Sequence, residues 1–236
     1  MIDRHRWSAV LGVAAMAALA GCGSSTSSPP TTTAAGPQVL TGVFHLTAGH
    51  DAGSGATGSY FRMINPGGTV KAGPFFTNTY STATDKTYTL LRPGAAGGLA
   101  TGTYQPGPEP PFDSKGNARA DAIMTPQTFE ALDMSISTNP TDPQSHLPVP
   151  KPTITTDHGK LTGQVEAISA GWNNEYFNQG SPKPGGAYPG STARVSGTYS
   201  ASTRAFVLVW ASQVVGGAFN GFTGYWHLQG TFTPAG

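Results

Sequence analysis

Cysteine is all but missing from this chain: Cys22 is the one example in 236 residues. No disulfide framework can form within it, and no cluster of thiolates can hold a metal ion. With Cys22 set aside, the remainder has no thiol nucleophile, and its stability must come from a core large enough to fold without covalent staples. Charge is sparse as well, at 11% of residues. Thirteen Lys and Arg stand against twelve Asp and Glu, and beyond Cys22 the two signs balance at eleven each. No basic patch stands out, which argues against nucleic acid as a partner and against electrostatic adhesion to anionic lipid. Windows that permit a helix are the third scarcity. Thirty-two Gly and twenty Pro interrupt almost every stretch where one could propagate.

Three long stretches contain neither residue. Phe75–Arg92 is dominated by Thr, Tyr and Ser, which favour strands and turns. Ser200–Val215 carries the β-branched and aromatic run Ala205–Trp210, again strand material. Only Gln127–Asn139 invites a turn of helix, with Thr125 as cap and Pro126 at the first helical position. Further strands are expected over Gly58–Ile64, Thr87–Leu91, Arg119–Met124 and Leu132–Thr138. The sequence therefore predicts an all-β domain, a single β-barrel or β-sandwich of about 9–12 mostly antiparallel strands with at most one short helix.

The N-terminal stretch reads differently. Arg4, His5 and Arg6 precede fourteen mostly apolar residues, Trp7 to Ala20, which is the layout of a secretory signal. A membrane-spanning helix needs roughly 20 apolar residues, so this run is short for one. It ends Leu19-Ala20-Gly21-Cys22, which resembles the bacterial lipobox. That resemblance implies removal of residues 1–21, transfer of a diacylglyceryl group (acyl chains such as palmitate) to the Cys22 thiol, and a mature protein anchored to a cell membrane outside the cytoplasm, at the cell surface or in the periplasm. Two or more acyl chains hold a protein stably on a bilayer, each buried CH₂ contributing about 0.8 kcal/mol. Residues 22–36 continue as a Ser-, Thr- and Pro-rich tether without large apolar side chains, expected to stay disordered. Residues 37–236 remain as one domain.

Five segments of that domain share one pattern: an apolar residue, a gap, Gly, a gap, then an aromatic or branched residue. They are Leu40–Phe44, Ala100–Tyr104, Leu161–Val165, Val195–Tyr199 and Leu228–Phe232, with glycines at 42, 102, 163, 197 and 230. Strand alternation places the three marked residues on one face. Glycine there suits a sheet that bends sharply, as barrels do at their corners. The C-terminal segment gives the clearest hairpin. Ala205–Val215 is apolar on both faces, Gly216-Gly217 and Asn220-Gly221 offer turns, and Phe222, Gly224, Trp226, Leu228, Gly230 and Phe232 form one apolar face. The Gly-x-aromatic strand style is similar to that of avidin-like barrels, in which ligand sits in the barrel mouth. The resemblance covers these five short segments and includes no biotin-contact motif.

Chemical signatures are few. The chain has no Gly-x-Ser-x-Gly elbow, His-Glu-x-x-His pair, phosphate loop or calcium-loop spacing, and no cofactor or metal is expected. Asp113–Asn117 reads as a solvated turn. His45 and His227 would approach each other, near His50 and Asp51, if the first and last strands pair. Glu130, Asp133, Glu166 and Glu175 are the carboxylates from which a glycosidase pair would be drawn. Arg62 alternates with apolar neighbours on its strand. The most suggestive stretch is Gly171–Gly180, read as a loop in which Trp172 and Tyr176 bring their rings to one opening beside Asn173, Asn174 and Gln179. Aromatic faces with nearby amides suit a saccharide or other small polar ligand. A surface-tethered, non-enzymatic binding domain is the leading expectation. A structural or adhesive envelope protein without a pocket is the second, and a carboxylate-dependent extracytoplasmic hydrolase the third.

Overall fold

Strand-forming runs broken by Gly, Pro and Asn punctuation give seventeen strands and no helix among the described residues, which in this computed structural model are 36–185 and 190–236. The leader, Cys22 and most of the tether lie outside them. In chain order the strands are β1 (Gln38–Leu40), β2 (Gly42–Leu46), β3 (His50–Asp51), β4 (Ala56–Thr57), β5 (Tyr60–Thr69), β6 (Gly73–Phe75), β7 (Thr89–Leu90), β8 (Gly98–Thr101) and β9 (Gln127–Phe129). They continue with β10 (Leu132–Thr138), β11 (Thr153–Asp157), β12 (Lys160–Gln164), β13 (Ile168–Trp172), β14 (Glu175–Asn178), β15 (Thr192–Tyr199), β16 (Ala205–Gln213) and β17 (Thr223–Pro234).

The main sheet runs β1-β11-β12-β15-β16-β17-β2-β8, antiparallel throughout. Because β1 and β2 are successive halves of one strand interrupted at Thr41, the order returns to its start and the sheet forms a nearly closed barrel. Two forks in this sheet create backbone groups that need partners, and a buried hydroxyl serves each. At the β1/β2 break, Thr101 Oγ1 donates to Leu40 O (2.6 Å) and accepts from Gly42 N–H (3.1 Å). Along β17, Thr223–His227 pair with β5 and Gly230–Pro234 with β2. At the Gln229 junction, Ser59 Oγ donates to the carbonyl and accepts from the amide, both at 3.1 Å.

The barrel is filled by its own side chains. Phe44 packs edge-on to Phe206 at 4.9 Å and against Phe232 at 4.8 Å, with Leu161, Leu208 and Leu228 buried around them. Four of the five patterned glycines lie where a neighbouring strand crosses very closely. A Cβ on Gly230 would stand 1.8 Å from His45 O, on Gly197 1.9 Å from Val207 O, on Gly163 2.1 Å from Thr153 O and on Gly42 2.2 Å from Thr233 O. Alternation puts each on the face that Leu40, Phe44, Leu161, Val195, Leu228 and Phe232 bury. The fifth departs from the expectation: Gly102 follows β8 in a turn with φ of +76°.

At one end the upper halves of β16 and β17, with β5, face a second sheet ordered β14-β13-β10-β9. Trp210 and Trp226 stack at 5.9 Å between the layers, Phe61 lies 4.5 Å from Trp226, and Phe129 of the second sheet is 5.8 Å from Phe61. One continuous hydrophobic core joins barrel and second sheet. Two local expectations are corrected here. Gln127–Asn139 is a hairpin, not a turn of helix: Glu130 and Ala131 (φ +47° and +67°) form a tight left-handed turn between β9 and β10. Arg119–Met124 is irregular, with an isolated bridge from Met124 to Pro93; its Ala118, Ala120, Ile123 and Met124 neighbourhood is buried as a covering segment.

Candidate functional site

The stretch expected to be an irregular ligand loop is a second tight hairpin. Asn173 and Asn174, at φ +53° and +60°, supply the two left-handed positions of a two-residue turn that asparagine tolerates well. Pairing of Trp172 with Glu175 and of Gly171 with Tyr176 follows. Parity then sends the two aromatic rings to opposite faces. Trp172 turns inward: its Nε1 donates to Phe129 O at 2.7 Å and its ring lies 5.3 Å from Phe219. Gln179 is also internal, at 2% exposure. Its side-chain oxygen accepts from Trp226 Nε1 (3.2 Å) and its carbonyl from Trp210 Nε1 (2.8 Å). These two residues belong to the core, beside an apolar cavity of only about 30 Å³, room for roughly one water molecule.

Tyr176 and Asn174 face outward and do come together. Phe112 covers Gly171 and holds the Tyr176 ring at 5.3 Å. Burial pushes the Tyr176 hydroxyl pKa upward, and the Glu109 carboxylate adds to the shift. Tyr176 stands between two adjoining concavities. One, of about 420 Å³, is bounded by Gln144, Asn174, Glu175 and Gly216-Gly217; the other, of about 460 Å³, by Glu109, Pro111 and Asn139–Thr141. Pro143, His146 and Tyr176 belong to both, so the two form one groove along the free edge of β14. Asn173, exposed in the hairpin turn, stands beside it.

The groove's far wall, the segment 139–148, is fixed from beneath. Asp142, fully buried, accepts from Asn178 Nδ2 (2.9 Å), Ser169 Oγ (3.4 Å) and the Ser145 amide (2.6 Å). Gln144 accepts from the Asn178 amide (2.8 Å) and donates to Val215 O (2.7 Å), tying that wall to β14 and to the β16–β17 turn. Lys183 donates to Asn178 O at 2.6 Å. Burial brings its ammonium down to about 8, against the opposing pull of Asp142. Three donors on a buried carboxylate and a cation nearby satisfy the charge that burial would otherwise make costly. Sequence reasoning missed Asp142, Gln144 and Lys183, and reads His146 only as a loop residue; all four sit in Pro-rich connections with no periodic signal.

The remaining residues noted in the sequence are dispersed. The first and last strands do pair, yet His45 lies opposite Thr231 while His227 lies opposite Tyr60, so the two imidazoles are set apart along β17. His227 stacks flat on Tyr60 at 4.4 Å, and burial lowers its pKa. Arg62 lies on the outer side of β5, its guanidinium 3.3 Å from the Phe75 ring centre and 4.1 Å from that of Tyr88. Asp51 braces a loop by accepting from the Gly53 and Thr84 amides (3.0 and 3.1 Å). Asp113 accepts from the Lys115 and Asn117 amides in the expected turn. The four carboxylates are engaged singly. Glu130 accepts from the Thr79 amide (3.4 Å), Asp133 from the Thr128 hydroxyl (2.9 Å), Glu175 lies over Gly217, and burial followed by the Asp142 charge raises Glu166. No group of three His, Cys, Asp or Glu side chains is placed to hold a metal ion among the described residues. Comparison of the chain with protein-family models, with curated proteins and with solved structures gives no match in any of the three.

Proposed function

We propose that this chain is a membrane-anchored extracytoplasmic lipoprotein, lipidated on Cys22, whose β-domain binds a saccharide or similarly polar small ligand without catalysing a reaction. What carries the binding part of this reading is the Tyr176 groove. A fixed phenol ring is flanked by an imidazole and by the Asn174 amide, over a wall that Gln144 ties in place, the stacking face and directional polar groups that sugar sites use. The anchoring part rests on Leu19-Ala20-Gly21-Cys22 following a basic-then-apolar leader. The filled barrel favours one rival, a structural or adhesive envelope protein that binds nothing small.

Two experiments test the reading. Full-length protein in detergent micelles is titrated with N-acetylglucosamine oligomers by calorimetry and saturation-transfer NMR. Micromolar-to-millimolar affinity is expected, and Tyr176→Ala should weaken it roughly 2- to 10-fold, equivalent to about 0.5–1.5 kcal/mol of stacking. Affinity indifferent to that change overturns the site, and absence of binding favours the structural rival. Separately, Cys22→Ser should shift the protein out of the membrane fraction into soluble or unprocessed forms. Unchanged membrane partitioning would sink the lipoprotein reading.

A further inference from the structure

A second polar concavity lies at the other edge of the four-stranded sheet, beyond β9, and shares no residue with the Tyr176 groove. Three strand spacings separate the two sheet edges, about 14 Å. The concavity measures about 480 Å³ and is framed by Tyr80, Arg92, Gln127 and Asp133, with hydroxyls from Thr82 and Thr128. We propose that it is a binding site for a carboxylated sugar of the uronic-acid class, with Tyr80 under the sugar ring and Arg92 on the carboxylate.

The wall that bears Tyr80 is built rigidly, although Tyr80 itself is 54% exposed. Asn78, at 1% exposure, donates to Thr89 Oγ1 (3.0 Å) and Thr128 O (3.1 Å) and accepts from the Tyr80 and Glu130 amides (3.2 and 3.3 Å). Its amide donates to Lys86 O (2.9 Å), and its carbonyl accepts from the Ser81 amide (3.0 Å). One buried residue, through its side chain and its own backbone, thus clamps the loop around Tyr80 to β7 and β9. A large aromatic residue held outward on a clamped loop loses little freedom when a ligand stacks on it.

The polar groups around that ring are open. The Arg92 guanidinium is exposed and has no hydrogen bond or ion pair with any described residue, while its backbone carbonyl is fixed by the Thr125 amide (3.1 Å). Gln127 spends its amide nitrogen on Thr125 and Pro126, which leaves its side-chain oxygen free to accept. Asp133 uses Oδ1 for the Thr128 hydroxyl, and Oδ2 remains open. A planar fork of donors matches a carboxylate bidentately. Two unspent acceptors match sugar hydroxyls, and an exposed ring matches the apolar face of a pyranose. A bare carboxylate would use one of these features, a neutral sugar two, and a uronic acid all three.

The test compares D-glucuronate, D-glucose and acetate on full-length protein in detergent micelles, read by NMR line shifts. The unaltered protein should bind glucuronate at least fivefold more tightly than glucose or acetate. Arg92→Gln should remove the preference over glucose, Arg92→Lys should restore it in part, and Tyr80→Ala should weaken both sugars with the circular dichroism unchanged. Tyr176→Ala should leave the glucuronate preference and its dependence on Arg92 unchanged, which separates failure here from failure of the groove described above. Equal binding of glucuronate and glucose, glucuronate no tighter than acetate, or a preference that survives Arg92→Gln would overturn the proposal.

Discussion

Gly230→Val should destabilise the domain by about 1–3 kcal/mol or more, as overpacking does where the backbone must yield, whereas Thr231→Val beside it should change stability by no more than about 0.5 kcal/mol. The reason is a single distance. A side chain begun at Gly230 would start 1.8 Å from the His45 carbonyl, an atom fixed by the β17–β2 ladder that cannot swing aside as a flexible side chain would. Thr231 points the other way and is exposed. The measurement is denaturant unfolding of both variants by fluorescence. Gly197→Val should behave like Gly230→Val, since its Cβ would meet Val207 O at 1.9 Å. Equal, small effects at glycine and threonine positions would show that the close crossings relax freely.

The second large effect belongs to Trp226. It is fully buried, stacks on Trp210, contacts Phe61 and spends its indole N–H on Gln179. Trp226→Ala should cost about 3–5 kcal/mol, the range for deleting a large core aromatic. For a domain of this size the melting temperature should fall by roughly 6–20 °C. Calorimetry checks it. Trp226 joins the barrel to the second sheet, so the loss should appear as one cooperative transition at lower temperature. A variant that melts in two steps would show that the two sheets unfold independently.

The all-β class, the filled apolar face of β17 and the glycine crossings were legible because they rest on local alternation. Phe222 to Phe232 states its own parity. Four of five glycines were placed by the same rule, and Gly102 escaped it because its segment leaves the sheet after Thr101. What failed was turn chemistry. Glu130-Ala131 takes left-handed backbone that neither residue advertises, so the Thr125-Pro126 start signal pointed to a helix where a hairpin forms. Asn173-Asn174 does advertise such a turn. Treated as loop, however, it hid the parity that separates Trp172 from Tyr176. The groove itself could not be read from sequence. His146, Glu109 and Gly217 meet Tyr176 from three distant connections, and the carboxylate supporting one wall, Asp142, lies 27 residues from Ser169 and 36 from Asn178.

The pairing of β2 with β17 has a consequence for the export proposed above. Gly42 and Pro234 are partners, so the ring cannot shut until β17 is available to β2. Two early segments wait for distant partners: β1 for β11, and β2, beyond its nearer pairing with β8, for β17. Non-local pairing of this kind is slow, because loop-closure entropy must be met before the contacts form. Topology thus supplies its own timer. If the chain is exported as proposed, that timer would postpone locking of the ring until β17 arrives.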